Sequence, residues 1–214
     1  MLSPAYLSCS IGIRDEVLAT KRATNCAPIQ RCILDGQTET GITLMQMDRG
    51  MDTGDMIETV RTAIGPDETY GELQDRLALI AADLAVQWMP RIVAGDYPRT
   101  SQNSDFATIA PKIEKSEAEL SFSKPAPQEY NRFRAFTPTP GPFLRTASGL
   151  LRLHRVRPTE GSGEPGTLIS VAPEPTVTFA EGALRLIEVQ PEGKRRMSGR
   201  DWANGARLRV GDRL

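Results

Sequence analysis

Apolar residues recur at steps of three and four between Thr69 and Gly95, and this spacing predicts one long amphipathic helix. Thr69 and Glu72 form the capping-box pair that typically starts such a helix. The apolar face of this helix comprises Leu73, Leu77, Ile80, Leu84 and Trp88. A shorter helix is predicted over residues 27–35, because a proline stands near its start and a glycine just past its end.

Runs of β-branched and apolar residues predict two strands, at residues 40–47 and 56–64, on either side of the loop DRGMDTGD at 48–55. Beyond residue 142 the pattern changes to short apolar runs separated by Gly and Pro, following a predicted helix at 126–136. These runs predict five short strands, at 143–147, 150–156, 166–171, 175–180 and 183–190. The pattern therefore indicates an α/β part followed by a small five-stranded β-barrel.

Charge divides the chain in the same way. Residues 1–109 carry nine basic and 15 acidic residues, whereas residues 110–214 carry 17 basic and 12 acidic residues. Residues 97–111 are rich in Pro, Ser, Asn and Asp, which is typical of a linker. The basic second half can attract a polyanion such as nucleic acid, and the alternative is an ordinary solvated surface.

Several classes of protein are disfavoured by composition. No apolar run is long enough for a membrane helix, and the acidic residues Asp15 and Glu16 argue against a signal peptide. The three cysteines have neither disulfide nor zinc spacing. His154 is the single histidine and is expected at the surface, beside Arg152. We therefore expect a cytoplasmic protein without a membrane partner or a metal site, and without a histidine-based nucleophile.

The loop at 48–55 is the strongest candidate for chemistry. Asp48, Asp52 and Asp55 lie on a tight turn with two glycines. Carboxylates in this setting can orient a base, organise water or bind a hard cation. Aspartates are equally common as caps of turns, so the residues alone leave both interpretations open.

The order of motifs resembles that of the methionyl-tRNA formyltransferase family. Residues 27–56 resemble the stretch that runs from the end of the folate loop to the catalytic aspartate. The resemblance continues in the second half and covers about residues 27–214. The further matching segments are APKIEKSEAELSF at 110–122, RAFTPTPGPF at 134–143, EPGTL at 164–168 and GALRLIEVQPEGKRRMSGRDW at 182–202.

This resemblance implies a partial Rossmann-like formyltransferase domain at 27–96, a linker at 97–111 and an OB-like β-barrel at 112–214 that binds tRNA. It implies transfer of a formyl group from 10-formyltetrahydrofolate to the amino group of methionyl initiator tRNA, without a metal. Asp52 matches the catalytic aspartate, which would orient a histidine and order a water. Met47, Asp48 and Gly50 are the corresponding candidates for folate binding.

The resemblance also assigns candidate phosphate contacts to the basic second half. The strongest local signal is three consecutive cations after Gly193, in a predicted loop. The candidate RNA-binding residues are Lys112, Lys115, Arg132, Arg134, Lys194, Arg195 and Arg196.

The first 26 residues depart from the family pattern. An Asn and a His that act beside the aspartate in the family would fall near Arg14 and Glu16. The chain thus looks like the last two thirds of the enzyme behind an unrelated start, and a frameshift, a misplaced start and a real truncation all remain open. Two other functions also remain open: a non-catalytic RNA-binding remnant, and a sibling formyltransferase that acts on another amine.

Family members of full length are expected to be monomers. In residues 1–95 of this chain, by contrast, few elements are predicted that could cover the apolar face of the long helix. Self-association of this chain is therefore expected.

Overall fold

The computed structural model describes residues 7–11, 27–49, 53–103 and 110–214. The chain forms two compact units, Met1–Ile113 and Glu114–Leu214. None of the helices in the described ranges is long and apolar enough to cross a membrane.

The first unit combines a three-stranded sheet with two helices. Its elements are β1 (Leu7–Ile11), α1 (Pro28–Leu34), β2 (Glu39–Gln46), β3 (Met56–Ala63) and α2 (Tyr70–Val93). The strand order is β1-β2-β3, and both pairings are antiparallel. Both helices and both strands predicted in this part of the chain are confirmed, and β1 is an additional strand that the hydrophobic pattern did not indicate.

The long helix α2 starts as its sequence predicts. The Thr69 side chain accepts from the Glu72 N–H, and the Glu72 carboxylate accepts from the Thr69 N–H in return. Leu73, Leu77 and Leu84 are almost completely buried, and α2 packs on β2 and α1. The expectation that this face would lack cover is therefore wrong. The exposed apolar side chains of α2 lie elsewhere on the helix and are Leu79, Val86, Met89 and Val93.

The second unit is a mainly antiparallel β structure with two helices and one 3-10 turn. Its elements are the 3-10 turn Lys115–Ala118, α3 (Ala126–Ala135), β4 (Phe143–Thr146), β5 (Gly149–Thr159), β6 (Leu168–Ser170), β7 (Thr176–Thr178), β8 (Ala183–Pro191), β9 (Met197–Ser198) and α4 (Gly199–Gly205). The strand order is β4-β5-β8-β7-β6, and β9 pairs with β8. All five predicted strands and the predicted helix are confirmed.

The core of the second unit lies between the sheet and the helices. Side chains that alternate along β5 and β8 point into it, and α3 packs on both strands. Within residues 114–214 the ladder is open, because β4 and β6 stand at its two ends and do not pair with each other. The predicted strands thus form an open sheet that packs with helices, and no closed barrel is found in this unit.

Candidate functional site

The aspartate loop joins two antiparallel strands of the first unit. β2 ends at Gln46 and β3 begins at Met56. The Gln46 N–H donates to the Asp55 carbonyl over 2.9 Å, which closes the base of the loop. Gly50 and Asp52 lie outside the described residues, so their predicted roles in folate binding and catalysis stay predictions.

A cavity of about 120 Å³ lies at the base of this loop. It is lined by Gln46, Met47, Asp48, Gly54, Asp55 and Arg99. The structure therefore brings together two of the predicted folate-binding residues, Met47 and Asp48. Asp48, which lines the cavity, also accepts from the Thr53 hydroxyl over 2.5 Å.

Gly54 is required by the close approach of the two strand ends. A Cβ atom at this position would lie 1.6 Å from the carbonyl oxygen of Gln46. Real Cβ atoms essentially never approach within 3.0 Å of a heavy atom that belongs to a residue other than their own and its two chain neighbours. The second glycine of the DRGMDTGD motif therefore has a steric role that is independent of any chemistry.

Residues from the predicted linker also contact the loop. Met56 and Thr100 exchange two backbone hydrogen bonds, of 2.8 and 3.0 Å. The Gln102 amide donates to the Gly54 carbonyl over 2.6 Å, and the Ser101 hydroxyl donates to Asp55 Oδ1 over 3.2 Å. Sequence reasoning missed these contacts, because a segment rich in Pro, Ser and Asn indicates irregular backbone without indicating where its side chains bind.

The predicted RNA-binding residues fall into three groups. Lys115, Lys194 and Arg195 are exposed in the second unit, and Lys112 is exposed in the first. Arg196 is exposed but donates to the Glu188 carboxylate over 2.5 Å. This hydrogen bond lowers the pKa of Glu188 and raises the pKa of Arg196.

Arg132 and Arg134 form the third group, and the structure places them poorly for phosphate contacts. Arg132 lies 3.2 Å from the carboxylate of Glu129, whose side chain is completely buried. Arg132 also donates to the Glu117 carbonyl over 2.6 Å. Arg134 is only 6% exposed and donates to the Asn131 side chain over 2.6 Å. Both guanidinium groups stabilise the fold around α3.

Three exposed arginines that sequence reasoning did not select share one face of the sheet in the second unit. Arg152 and Arg155 lie on β5 and Arg185 lies on β8. In the β5–β8 register, Arg152 is opposite Gln190, and Arg155 is opposite Glu188. We call Arg152, Arg155 and Arg185 the arginine face. The alternation in LLRLHRVR places Arg152 on the solvent face, and Arg155 reaches the same face because the β5–β8 register shifts on both sides of Arg155.

His154 lies beside this face, as predicted. Its side chain is half-buried, and Nε2 lies 3.1 Å from Oε1 of Gln190 on the neighbouring strand. The histidine thus belongs to the second unit and makes a cross-strand hydrogen bond.

Comparison with known proteins gives a consistent result for both units. Residues 24–93 match the family model of formyl transferase, and residues 112–207 match that of the formyl transferase C-terminal domain. The chain is 41% identical over 210 residues to methionyl-tRNA formyltransferase of Symbiobacterium thermophilum, an alignment that covers 96% of this chain and 64% of the relative. It is also 41% identical over 191 residues to the methionyl-tRNA formyltransferase of Myxococcus xanthus, which covers 89% of this chain and 61% of that protein.

The solved structures agree on the fold. HypX from Aquifex aeolicus in complex with tetrahydrofolic acid superposes with a TM-score of 0.70 at 15% identity, over 98% of this chain and 37% of HypX. An N-formyltransferase from Helicobacter canadensis superposes with a TM-score of 0.60 at 19% identity, over 74% of this chain and 59% of that protein.

The chain spans a little under two thirds of the length of the curated relatives named above. The segment that matches the first family model contains the aspartate loop, and the segment that matches the second contains the arginine face. The alignment with 41% identity covers 96% of this chain. The chain therefore belongs to the formyltransferase family that includes methionyl-tRNA formyltransferase.

Proposed function

We propose that this chain supplies the aspartate loop and the tRNA-binding module for formyl transfer from 10-formyltetrahydrofolate to methionyl initiator tRNA. The observation that carries the proposal is the 41% identity to methionyl-tRNA formyltransferases. A cavity at the base of the aspartate loop supports it, because Asp52 belongs to that loop. In this proposal residues 27–96 are the partial Rossmann-like domain, residues 112–214 are the OB-like module, and residues 97–111 connect them in sequence.

The chemistry of the reaction explains why a carboxylate is useful in this loop. The amine of the methionyl group attacks the formyl carbon, a tetrahedral oxyanion develops, and the amine nitrogen must lose a proton. Asp52 would orient a histidine, set its protonation state and order a water. Met47, Asp48 and Gly50 would contact the folate co-substrate at the base of the same loop.

Binding of tRNA is assigned to the second unit. The exposed cations Lys115, Lys194 and Arg195 and the arginine face supply positive charge that phosphates attract. Phosphate contacts of this kind position an RNA without reading its sequence. The three residues Lys112, Arg132 and Arg134 contribute less to the proposal, since Lys112 belongs to the first unit and the two arginines are held by the fold.

The alternative of a sibling enzyme that acts on another amine has less support. The sugar N-formyltransferases among the similar structures share under 25% identity with this chain and therefore show the fold alone. The relatives with about 40% identity are methionyl-tRNA formyltransferases.

A chimaera tests the proposed function directly. The N-terminal part of the Symbiobacterium thermophilum relative would be fused ahead of residue 27 of this chain. We expect the chimaera to form formyl-methionyl-tRNA and the Asp52→Asn version to lose most of that activity while keeping its melting temperature. A folded chimaera that lacks activity would favour the RNA-binding remnant, and activity that survives Asp52→Asn would leave Asp52 as a turn former.

The tRNA-binding proposal predicts a specific dependence on salt. Binding of initiator tRNA by the whole chain should weaken with a log–log slope of about −2 to −4, because each phosphate contact releases counterions. Replacing Lys194 and Arg195 by alanine should flatten this slope by roughly 1 to 2. The matched control is Lys124→Ala with Arg209→Ala, which removes two exposed cations elsewhere in the unit. Equal slopes for both double variants would remove the 194–195 loop from the RNA site.

Removing the negative charge of Glu188 should change tRNA binding in the opposite direction to removing the positive charges of Lys194 and Arg195. Glu188 is the register partner of Arg155, and its carboxylate pairs with Arg196, so it neutralises part of the positive charge of the sheet. Glu188→Gln should tighten tRNA binding and steepen the salt slope by roughly 1, since one more cation becomes available to phosphates. Fluorescence anisotropy across a salt series measures both quantities. Weaker binding by a folded Glu188→Gln variant would show that the RNA does not approach this face.

A further inference from the structure

The segment that follows α2 lies along the base of the aspartate loop. We call residues 97–102 the strap. Its Thr100 forms an antiparallel bridge with Met56, the first residue of β3. The strap therefore adds a short extended stretch to the strand on which the loop returns.

Side chains of the strap reach both ends of the loop. On the outgoing side, the Tyr97 hydroxyl donates to Gln46 Oε1 over 3.2 Å, and the Arg99 guanidinium donates to the same oxygen. On the returning side, Gln102 donates to the Gly54 carbonyl. Arg99 connects the two sides, because its Nε also lies 3.7 Å from Asp55 Oδ2.

These contacts matter because of the composition of the loop. It contains two glycines, which lose the most conformational freedom on ordering. Its middle carries Asp52, whose position relative to a reacting group must hold within a fraction of an ångström for efficient catalysis. Fixing Gln46 and Gly54 from outside limits the conformations that the residues between them can reach.

We propose that the strap positions the aspartate loop, and that Arg99 and Gln102 are its positioning residues. The effect of the strap on folate binding rests on the proposed function. Its restraint of the loop conformation does not. A polar segment that sequence composition marks as a linker is thus part of the site.

Two variants of the whole chain remove strap contacts without removing backbone. Gln102→Met keeps the length of the side chain and deletes the donor to Gly54, and Arg99→Ala deletes the group that spans Gln46 and Asp55. Arg99→Lys is the conservative variant that keeps the charge. The control is Arg61→Ala, which removes an exposed ion pair with Glu39 of 3.3 Å at the other end of the same sheet.

Hydrogen exchange of the Gln46 and Met56 amides is the first measurement. We expect exchange to become about tenfold faster in Gln102→Met and Arg99→Ala, the size of one lost hydrogen bond. We expect partial restoration in Arg99→Lys and no change in Arg61→Ala. Unchanged exchange in both strap variants, at a melting temperature equal to that of the parent chain, would overturn the proposal.

Calorimetric titration with tetrahydrofolate is the second measurement. If the chain binds tetrahydrofolate, the strap variants should raise Kd about tenfold while Arg61→Ala leaves it unchanged. An equal Kd for the parent chain and the strap variants would show that the strap does not affect tetrahydrofolate binding. If the parent chain binds no tetrahydrofolate, the proposed function loses its folate component, and hydrogen exchange alone decides whether the strap holds the loop.

Discussion

Formyl transfer by the purified 214-residue chain is expected to be at least about 10⁴-fold slower than transfer by a formyltransferase with a complete set of catalytic groups. The family resemblance places an Asn and a His near positions that hold Arg14 and Glu16 in this chain. Loss of one group that stabilises the developing oxyanion costs about 100-fold to 1000-fold in rate. Asp52 alone cannot replace both missing groups, because one carboxyl side chain carries at most one hydrogen-bond donor and none when it is ionised.

The measurement is the formation of formyl-methionyl-tRNA from initiator tRNA and 10-formyltetrahydrofolate, with the chimaera described above as the positive control. Asp52→Asn in the unfused chain separates residual catalysis in the loop from background. Turnover by the unfused chain within tenfold of the chimaera would show that other residues of this chain replace the Asn and the His. In that case Arg14 and Glu16 would be the first positions to substitute.

Most helices and strands could be predicted because their signals are local. The capping box of α2 involves residues three apart, and the burial of Leu73 and Leu77 follows from their spacing on one helix face. Strand β1 could not be predicted in the same way. Its pairing with β2 depends on contacts between residues 7–11 and 42–46, more than 30 positions apart. Nothing in a five-residue segment specifies such a distant partner.

The candidate site likewise has one part that local sequence signals predicted and one part that depends on contacts between distant residues. The motif DRGMDTGD marked the loop, and the structure confirms that this loop lies between two strands, β2 and β3. The strap was missed, since the contacts of Arg99 and Gln102 with the loop span about 50 residues. Composition reports that such a segment is polar and irregular, but the partner of each polar group is decided by tertiary structure.

The number of basic residues in the second unit did not predict which of them are exposed and available to phosphates. Arg132 and Arg134 were predicted to contact phosphates, yet the side chains of both donate to groups within the unit. Glu129 is completely buried, and its carboxylate accepts from Arg132 and from the Ser121 N–H. The period of two along β5 predicted the exposure of Arg152. It did not predict that of Arg155, which lies on the same face only because the register of β5 and β8 shifts on both sides of Arg155.

Gly54→Ala is expected to destabilise the first unit by about 3 kcal/mol, near the upper end of typical costs for overpacking. The added Cβ would meet two backbone atoms, the carbonyl oxygen of Gln46 at 1.6 Å and its carbonyl carbon at 2.8 Å. No rotamer change relieves a clash with backbone, so the ends of β2 and β3 must separate. Separation breaks the hydrogen bond from the Gln46 N–H to the Asp55 carbonyl and the one from Gln102 to the Gly54 carbonyl.

Urea denaturation followed by hydrogen exchange of amides in residues 42–46 and 56–60 would measure this loss in the first unit separately from the second. The matched control is Gly205→Ala, because a Cβ there has no atom within 4 Å. Gly205 lies in helix α4, where alanine is expected to be neutral or to stabilise by about 0.5–1 kcal/mol. If Gly54→Ala left the unfolding free energy of the first unit within about 0.5 kcal/mol of the parent value, the close approach of the two strand ends would not exist in solution. The cavity beside Met47 and Asp48 would then have a different shape, and both the strap and the folate proposals would lose their geometric basis.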